Sequence, residues 1–137
     1  MVSLQEIQAI RLRCEALDEH IQRLRADAER TTMRLRQAPS GRGNQDMLGE
    51  RMSRLLAAEA EWIAARERLE KELREVDQRI ERLEEPHRTL MTLRYITGLS
   101  WSEIAKKMHY CPSNCYRLHN EVMAKWEHMF RNGVIES

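Results

Sequence analysis

Two long apolar stripes, each stepping alternately by three and four residues, constrain this chain to paired helices before any other feature is considered. The first occupies residues 3–36. Ile7, Cys14, Ile21, Ala28 and Leu35 fall on one heptad position (a), and Ile10, Leu17, Leu24 and Thr31 on the other (d). The second runs from 48 to 83, with Leu48, Leu55, Trp62, Leu69, Val76 and Leu83 at d and Met52, Glu59, Arg66, Leu73 and Ile80 at a. Between them Pro39, Gly41, Gly43 and Asn44 break helix, and Asn44 or Asp46 suits the cap of the helix that follows.

The stripes become complementary if a loop over 37–45 folds them into an antiparallel hairpin, with helices over about 3–36 and 46–85 whose facing positions sum to 83. Leu35 then meets Leu48, Thr31 meets Met52, Ala28 meets Leu55, Ile21 meets Trp62 and Cys14 meets Leu69. Such a hairpin is roughly 50 Å long at about 1.5 Å per residue. Glu59 opposite Leu24 and Arg66 opposite Leu17 place charges in the seam, where their long side chains must reach water and loosen the packing. A parallel homodimer of each helix is the rival pairing, and the breaker segment favours the hairpin. Two helices bury little area, so self-association through this coiled coil into a homo-oligomer is an expected partner interaction.

Composition agrees with an all-α fold. A third of the residues are charged, Leu, Ala, Glu and Arg abound, and runs of Val, Ile and Thr are scarce. No apolar run approaches the roughly 18 residues of a membrane span. The opening residues lack the hydrophobic region of a secretory leader, and three cysteines, an odd number, fit reduced thiols, so a cytoplasmic location is expected. Residues 1–85 hold 16 Lys and Arg against 18 Asp and Glu, whereas residues 86–137 hold 7 against 4. The mild basic excess therefore falls on the C-terminal part, which also has four of the five His.

That part carries the chemistry. Pro86 suits the first turn of a new helix, with Leu90, Leu93 and Ile96 as its apolar face, and Gly98 can end it as a left-handed cap. Ser100-Trp101-Ser102-Glu103 has the pattern of a capping box, and Leu99 and Ile104 that of a hydrophobic staple. Ala105 is small where two helices must approach, and Met108 and Tyr110 can close the turn. Pro112 fits the start of a third helix, with Cys111 as its cap. Cys115, Leu118, Val122 and Trp126 step by three and four on its inner side. Pro112, Ser113, Asn114, Tyr116, Arg117 and Asn120 then form an outer face able to meet bases or phosphates, and Lys106 and Lys107 are candidates for phosphate contact. The pattern reads as a helix-turn-helix over 86–130, followed by a tail over 131–137. The plain alternative is a trihelical packing module with a solvated third helix.

This stretch resembles region 4 of bacterial sigma factors, through Leu83, Pro86, Arg88, Leu90, Leu93-Arg94-Tyr95, Gly98-Leu99-Ser100, Glu103-Ile104-Ala105 and Met108. It is more similar still to small phage and prophage regulators of Gram-positive bacteria: the RinA- and ArpU-like late transcription regulators, and an uncharacterised sigma-like phage family matched at Tyr116-Arg117-Leu118-His119. The resemblance implies sequence-specific binding of double-stranded DNA, with reading positions at Pro112, Ser113, Tyr116 and Arg117. It also implies RNA polymerase as a partner of the hairpin. No segment resembles the sigma region that melts promoters, so an accessory regulator is expected rather than a complete sigma factor.

Other functions have less to draw on. There is no Gly-rich phosphate loop, nucleophile elbow or HExxH, so no enzyme and no cofactor is expected. His109, Cys111, Cys115 and His119 lie close in sequence, but Cys115 is more simply a core residue than a zinc ligand. An adaptor that grips RNA polymerase or another phage protein without reading DNA is the second hypothesis. A terminase small subunit-like packaging protein is the third, and those place the DNA-binding part first.

Overall fold

The computed structural model describes residues 3–37 and 42–129, and every regular element among them is helical. A stretch free of Gly and Pro carries α1 from Leu4 to Gln37. Helix α2 runs from Arg42 to Ile80. Pro39 and Gly41 lie outside the described residues, while Gly43, Asn44 and Asp46 are inside α2, which begins four residues before the expected start. Helix α2 also ends short of 85. The Arg82 amide donates to the Arg79 carbonyl and the Leu83 amide to that of Ile80, so the last turn tightens and the chain leaves the helix before Pro86. No helix among the described residues is long and apolar enough to cross a membrane.

The chain forms two compact units, Gln5–Glu70 and a C-terminal one from Lys71 onward that Leu4 joins. In the first, α1 and α2 pack antiparallel. On α1, all the seam positions from Ile7 to Thr31 are buried. On α2 the expected a row holds at Ile80, which is buried, and is half-buried at Leu73, but it fails over residues 52–66. Met52 and Arg66 are exposed and Glu59 only half-buried, whereas the residues one place earlier turn inward: Ala58 is buried, and Arg51 and Ala65 are half-buried. Ala58 shares a core cluster with Ile21, Leu24 and Leu55, against which Trp62 packs. Thr31 meets Arg51 rather than Met52, as the Arg51 guanidinium donates to Thr31 Oγ1 at 2.6 Å and to the Asp27 carbonyl at 3.3 Å.

The reason is a small rotation of α2 about its axis. It turns Met52 and Arg66 out to water and brings Ala58 and Ala65 in, with Arg51 half-buried and Glu72 buried on the same row. Glu59 then lies 3.6 Å from Arg25, and the Arg66 guanidinium sits 5.8 Å from the Trp62 ring centre while pairing with Glu70. Arg13 and Glu61 add a second cross-helix ion pair at 3.0 Å, exposed and worth about 0.2–1 kcal/mol.

In the C-terminal unit, α3 (His87–Met91) runs on into a π-helical segment, Thr92–Thr97, followed by α4 (Trp101–Met108) and α5 (Pro112–Met129). Leu90, Ile104, Ala105, Cys115 and Leu118 form the core, with Leu93, Leu99, Trp101, Met108 and Tyr110 packed around it. In and just before the π segment the buried positions are Leu90, Met91 and Tyr95; Leu93 packs on the core as expected but is half-buried, and Ile96 is half-buried too. Gly98 closes it with φ 85°, and the amides of Gly98 and Leu99 both donate to the Leu93 carbonyl.

The rotation of α2 is open to a direct test. Ala58→Leu is expected to overfill the seam and destabilise the protein by about 1–3 kcal/mol. Glu59→Leu is expected to change stability by no more than about 0.5 kcal/mol. Urea unfolding followed by circular dichroism measures both, and the opposite order would restore Glu59 to the seam.

Candidate nucleic-acid interface

The outer face of α5 follows from what its inner face must bury. Cys115, Leu118, Val122 and Trp126 are all buried, and their spacing turns the residues between them away from the core. Pro112, Ser113, Tyr116, Arg117 and Asn120 are exposed and Asn114 is half-buried. Ser113, Tyr116, Arg117 and Asn120 border one shallow depression with Glu121 and Ala124. Lys106 and Lys107 are exposed in the last turn of α4. Six of the eight expected residues are thus on α5 and two on α4.

Local chemistry sets the approach of α5. Ser100 caps α4: its Oγ accepts from the Glu103 amide at 3.2 Å, and the Ser100 amide donates to Glu103 Oε1 at 3.4 Å. His109 ends α4 in the left-handed region, with φ 60°, a conformation that His adopts more readily than most residues. The amides of Asn114 and Cys115 donate to the Cys111 carbonyl as α5 begins. Cys111 is exposed with its Sγ 3.2 Å from Ser113 Oγ, and that hydroxyl lowers its pKa. Burial raises the pKa of Cys115. Among the described residues no group of three or more His, Cys, Asp or Glu is placed to hold a metal.

Arg117 is held in place. Its Nε and Nη2 donate to Asn114 Oδ1 at 3.2 and 2.7 Å, and its Nη1 donates to Glu121 Oε1 at 2.6 Å. The other oxygen of Glu121 accepts from His87 Nε2 on α3 at 2.7 Å. These bonds, that from His87 first, lower the Glu121 pKa. Tyr116 leans on Trp101, their ring centres 5.2 Å apart.

Behind Tyr116 lies an aromatic cluster. Trp101 meets His119 edge-on at 4.9 Å, and the Arg94 guanidinium lies 4.6 Å from the Trp101 ring centre while donating to the Leu99 carbonyl. Burial raises the Tyr95 pKa, so the phenol keeps its proton, and its hydroxyl is hydrogen-bonded to His119 Nε2 at 2.7 Å. Burial, and then the nearby Arg94 charge, lower the His119 pKa, so the imidazole is neutral.

Sequence reasoning did not single out Arg94, Trp101, His119, Glu121 or His87 as parts of this surface. The i,i+3 and i,i+4 spacing of Asn114, Arg117 and Glu121 was a usable signal. The Tyr95–His119 and His87–Glu121 contacts join distant positions, and no local pattern marks them. No family model, no curated protein and no solved structure matches this chain.

The neutral His119 predicts a pH dependence. Its folded pKa lies below the unfolded value of about 6.5, so the unfolded chain takes up the proton first. The stability it contributes is full above pH 6.5 and falls as the pH drops below that, through the folded pKa. Glu85 and Glu121, whose pKa values are lowered from 4.5, act only at lower pH. The urea midpoint is therefore expected to fall between pH 8 and pH 5.5, and to fall less in His119→Gln. An equal drop in both proteins would remove His119 from the account.

Proposed function

We propose that this protein binds specific sites in double-stranded DNA as a transcription regulator. On this reading α4, the turn at His109 and α5 act as a helix-turn-helix, with the first half of α5 in the major groove. The single observation that carries it is the exposed strip of Ser113, Tyr116, Arg117 and Asn120, on a helix whose opposite side is fully buried. Lys106 and Lys107 flank the strip in sequence on α4 and serve as phosphate contacts. The resemblance to sigma region 4 and to RinA- and ArpU-like regulators supports the same reading. It makes the protein a phage or prophage accessory regulator, acting in the cytoplasm, whose paired α1 and α2 self-associate or contact RNA polymerase.

A second reading is an adaptor that binds RNA polymerase or another phage protein and reads no DNA. It draws on Leu12, Leu56 and Ile63, large apolar side chains of α1 and α2 that are exposed.

Selection from a random duplex library decides between them. The DNA-binding reading expects a recurrent site and an affinity that falls with salt. On that site Arg117→Ala is expected to cost roughly 1–3 kcal/mol and to relax one base position. Lys106→Ala or Lys107→Ala is expected to weaken all duplexes alike and to reduce the salt slope by about 1. Recovery of a protein partner with no duplex binding at low salt would leave the adaptor.

A further inference from the structure

The chain of contacts around Arg117 does more than fill space. A guanidinium carries five N–H donors, and three are engaged: two by Asn114 Oδ1 and one by Glu121 Oε1. Two remain, one on each terminal nitrogen. Two parallel donors are what a guanine edge takes through O6 and N7. Glu121 is itself exposed on the same helix face, so its negative charge opposes any phosphate that approaches Arg117. It is also anchored from a different helix, because His87 of α3 donates to its second oxygen. A carboxylate free to swing away would orient nothing; one fixed at both oxygens presents Arg117 in a single direction.

We propose that Glu121 is a positioning residue for specificity: braced by His87, it works with Asn114 to aim Arg117 at one guanine and to keep that part of α5 off the phosphate backbone. The inference rests on the DNA-binding reading and adds the base class that Arg117 reads and the residue that enforces the choice. Arg117 without the carboxylate is a mobile cation and meets phosphate and base alike. With it, binding to arbitrary duplexes is weaker and discrimination is sharper. Asn114 alone leaves the Nη1 side of the fork unguided.

Two variants separate charge from contact. Glu121→Gln keeps an acceptor and removes the charge; Glu121→Ala removes both. The probes are the selected duplex, the same duplex with the guanine read by Arg117 replaced, and a duplex of random sequence, each titrated by fluorescence anisotropy at several salt concentrations. Glu121→Gln is expected to bind the random duplex severalfold more tightly at low salt, with a steeper salt slope. Glu121→Ala is expected to lose roughly fivefold or more of the preference for guanine. His87→Ala moves that preference in the same direction by a smaller factor. A role in folding alone would leave the ratio of selected to random affinity untouched in protein whose circular dichroism is unchanged. Wild-type ratios and salt slopes in both Glu121 variants, with the wild type binding its site, overturn this inference and leave DNA binding standing. A wild type that binds no duplex overturns both.

Discussion

The burial of one side of α5 decides what the rest of the C-terminal unit can present. Cys115, Leu118, Val122 and Trp126 need apolar cover, and α3 and α4 both pack on α5. At 3.6 residues per turn, whatever lies between those four positions is pushed to the far side. Pro112 starts the helix, so the strip begins in the first turn, and Ser113, Tyr116, Arg117 and Asn120 follow at helical spacing. The aromatic cluster stiffens this arrangement. Trp101 touches both Tyr116 and His119, and His119 holds Tyr95, so α4, α5 and the π-helical segment share one set of ring contacts. A proton on His119 would place a charge inside this half-buried cluster beside Arg94, and burial and that neighbouring charge both disfavour it.

How much of this was legible in the sequence varied with how local the cause was. The capping box at Ser100, the left-handed Gly98 and the inner stripe of α5 depend on residues a turn apart, and each is found where its pattern placed it. The seam of α1 was legible too, because its apolar positions are consistent over many turns. On α2 two frames competed, differing by one residue. Met52, Leu73 and Ile80 argued for one and Ala58 and Ala65 for the other, and a hydropathy pattern weights a methionine above an alanine. Packing weighs them differently: Ala58 fits among Ile21, Leu24 and Leu55 while Arg66 reaches water, although the adopted row carries charges of its own at Arg51 and Glu72. The π-helical turn was illegible for a different reason. Within Thr92–Thr97 it makes Tyr95 the buried residue, and no residue there announces it.

The surface of α5 is less basic than a helix that holds DNA by charge alone. Residues 86–137 have a small excess of cations, and one of these, Arg117, is already paired with a carboxylate. On the proposed reading this limits the counterion release that drives non-specific binding, so affinity must come from base contacts and from a second copy of the site. Tethering two sites raises the effective concentration of the second without any new contact. On that reading α1 and α2 would supply such a tether, and the exposed Leu12, Leu56 and Ile63 lie on them.

A weak electrostatic grip and a restrained arginine therefore answer the same requirement. A regulator that must choose one site among many gains little from binding phosphate strongly, because every competing sequence offers the same phosphates. It gains more from a donor that fits one base edge and is held off the backbone. On the proposed reading Arg117 fits that requirement through its contact with Glu121, which His87 also reaches from α3. His87 in turn belongs to α3, which packs on α5. The packing of α3 on α5 is thus connected, through His87 and Glu121, to the orientation of the side chain on which base discrimination is proposed to rest.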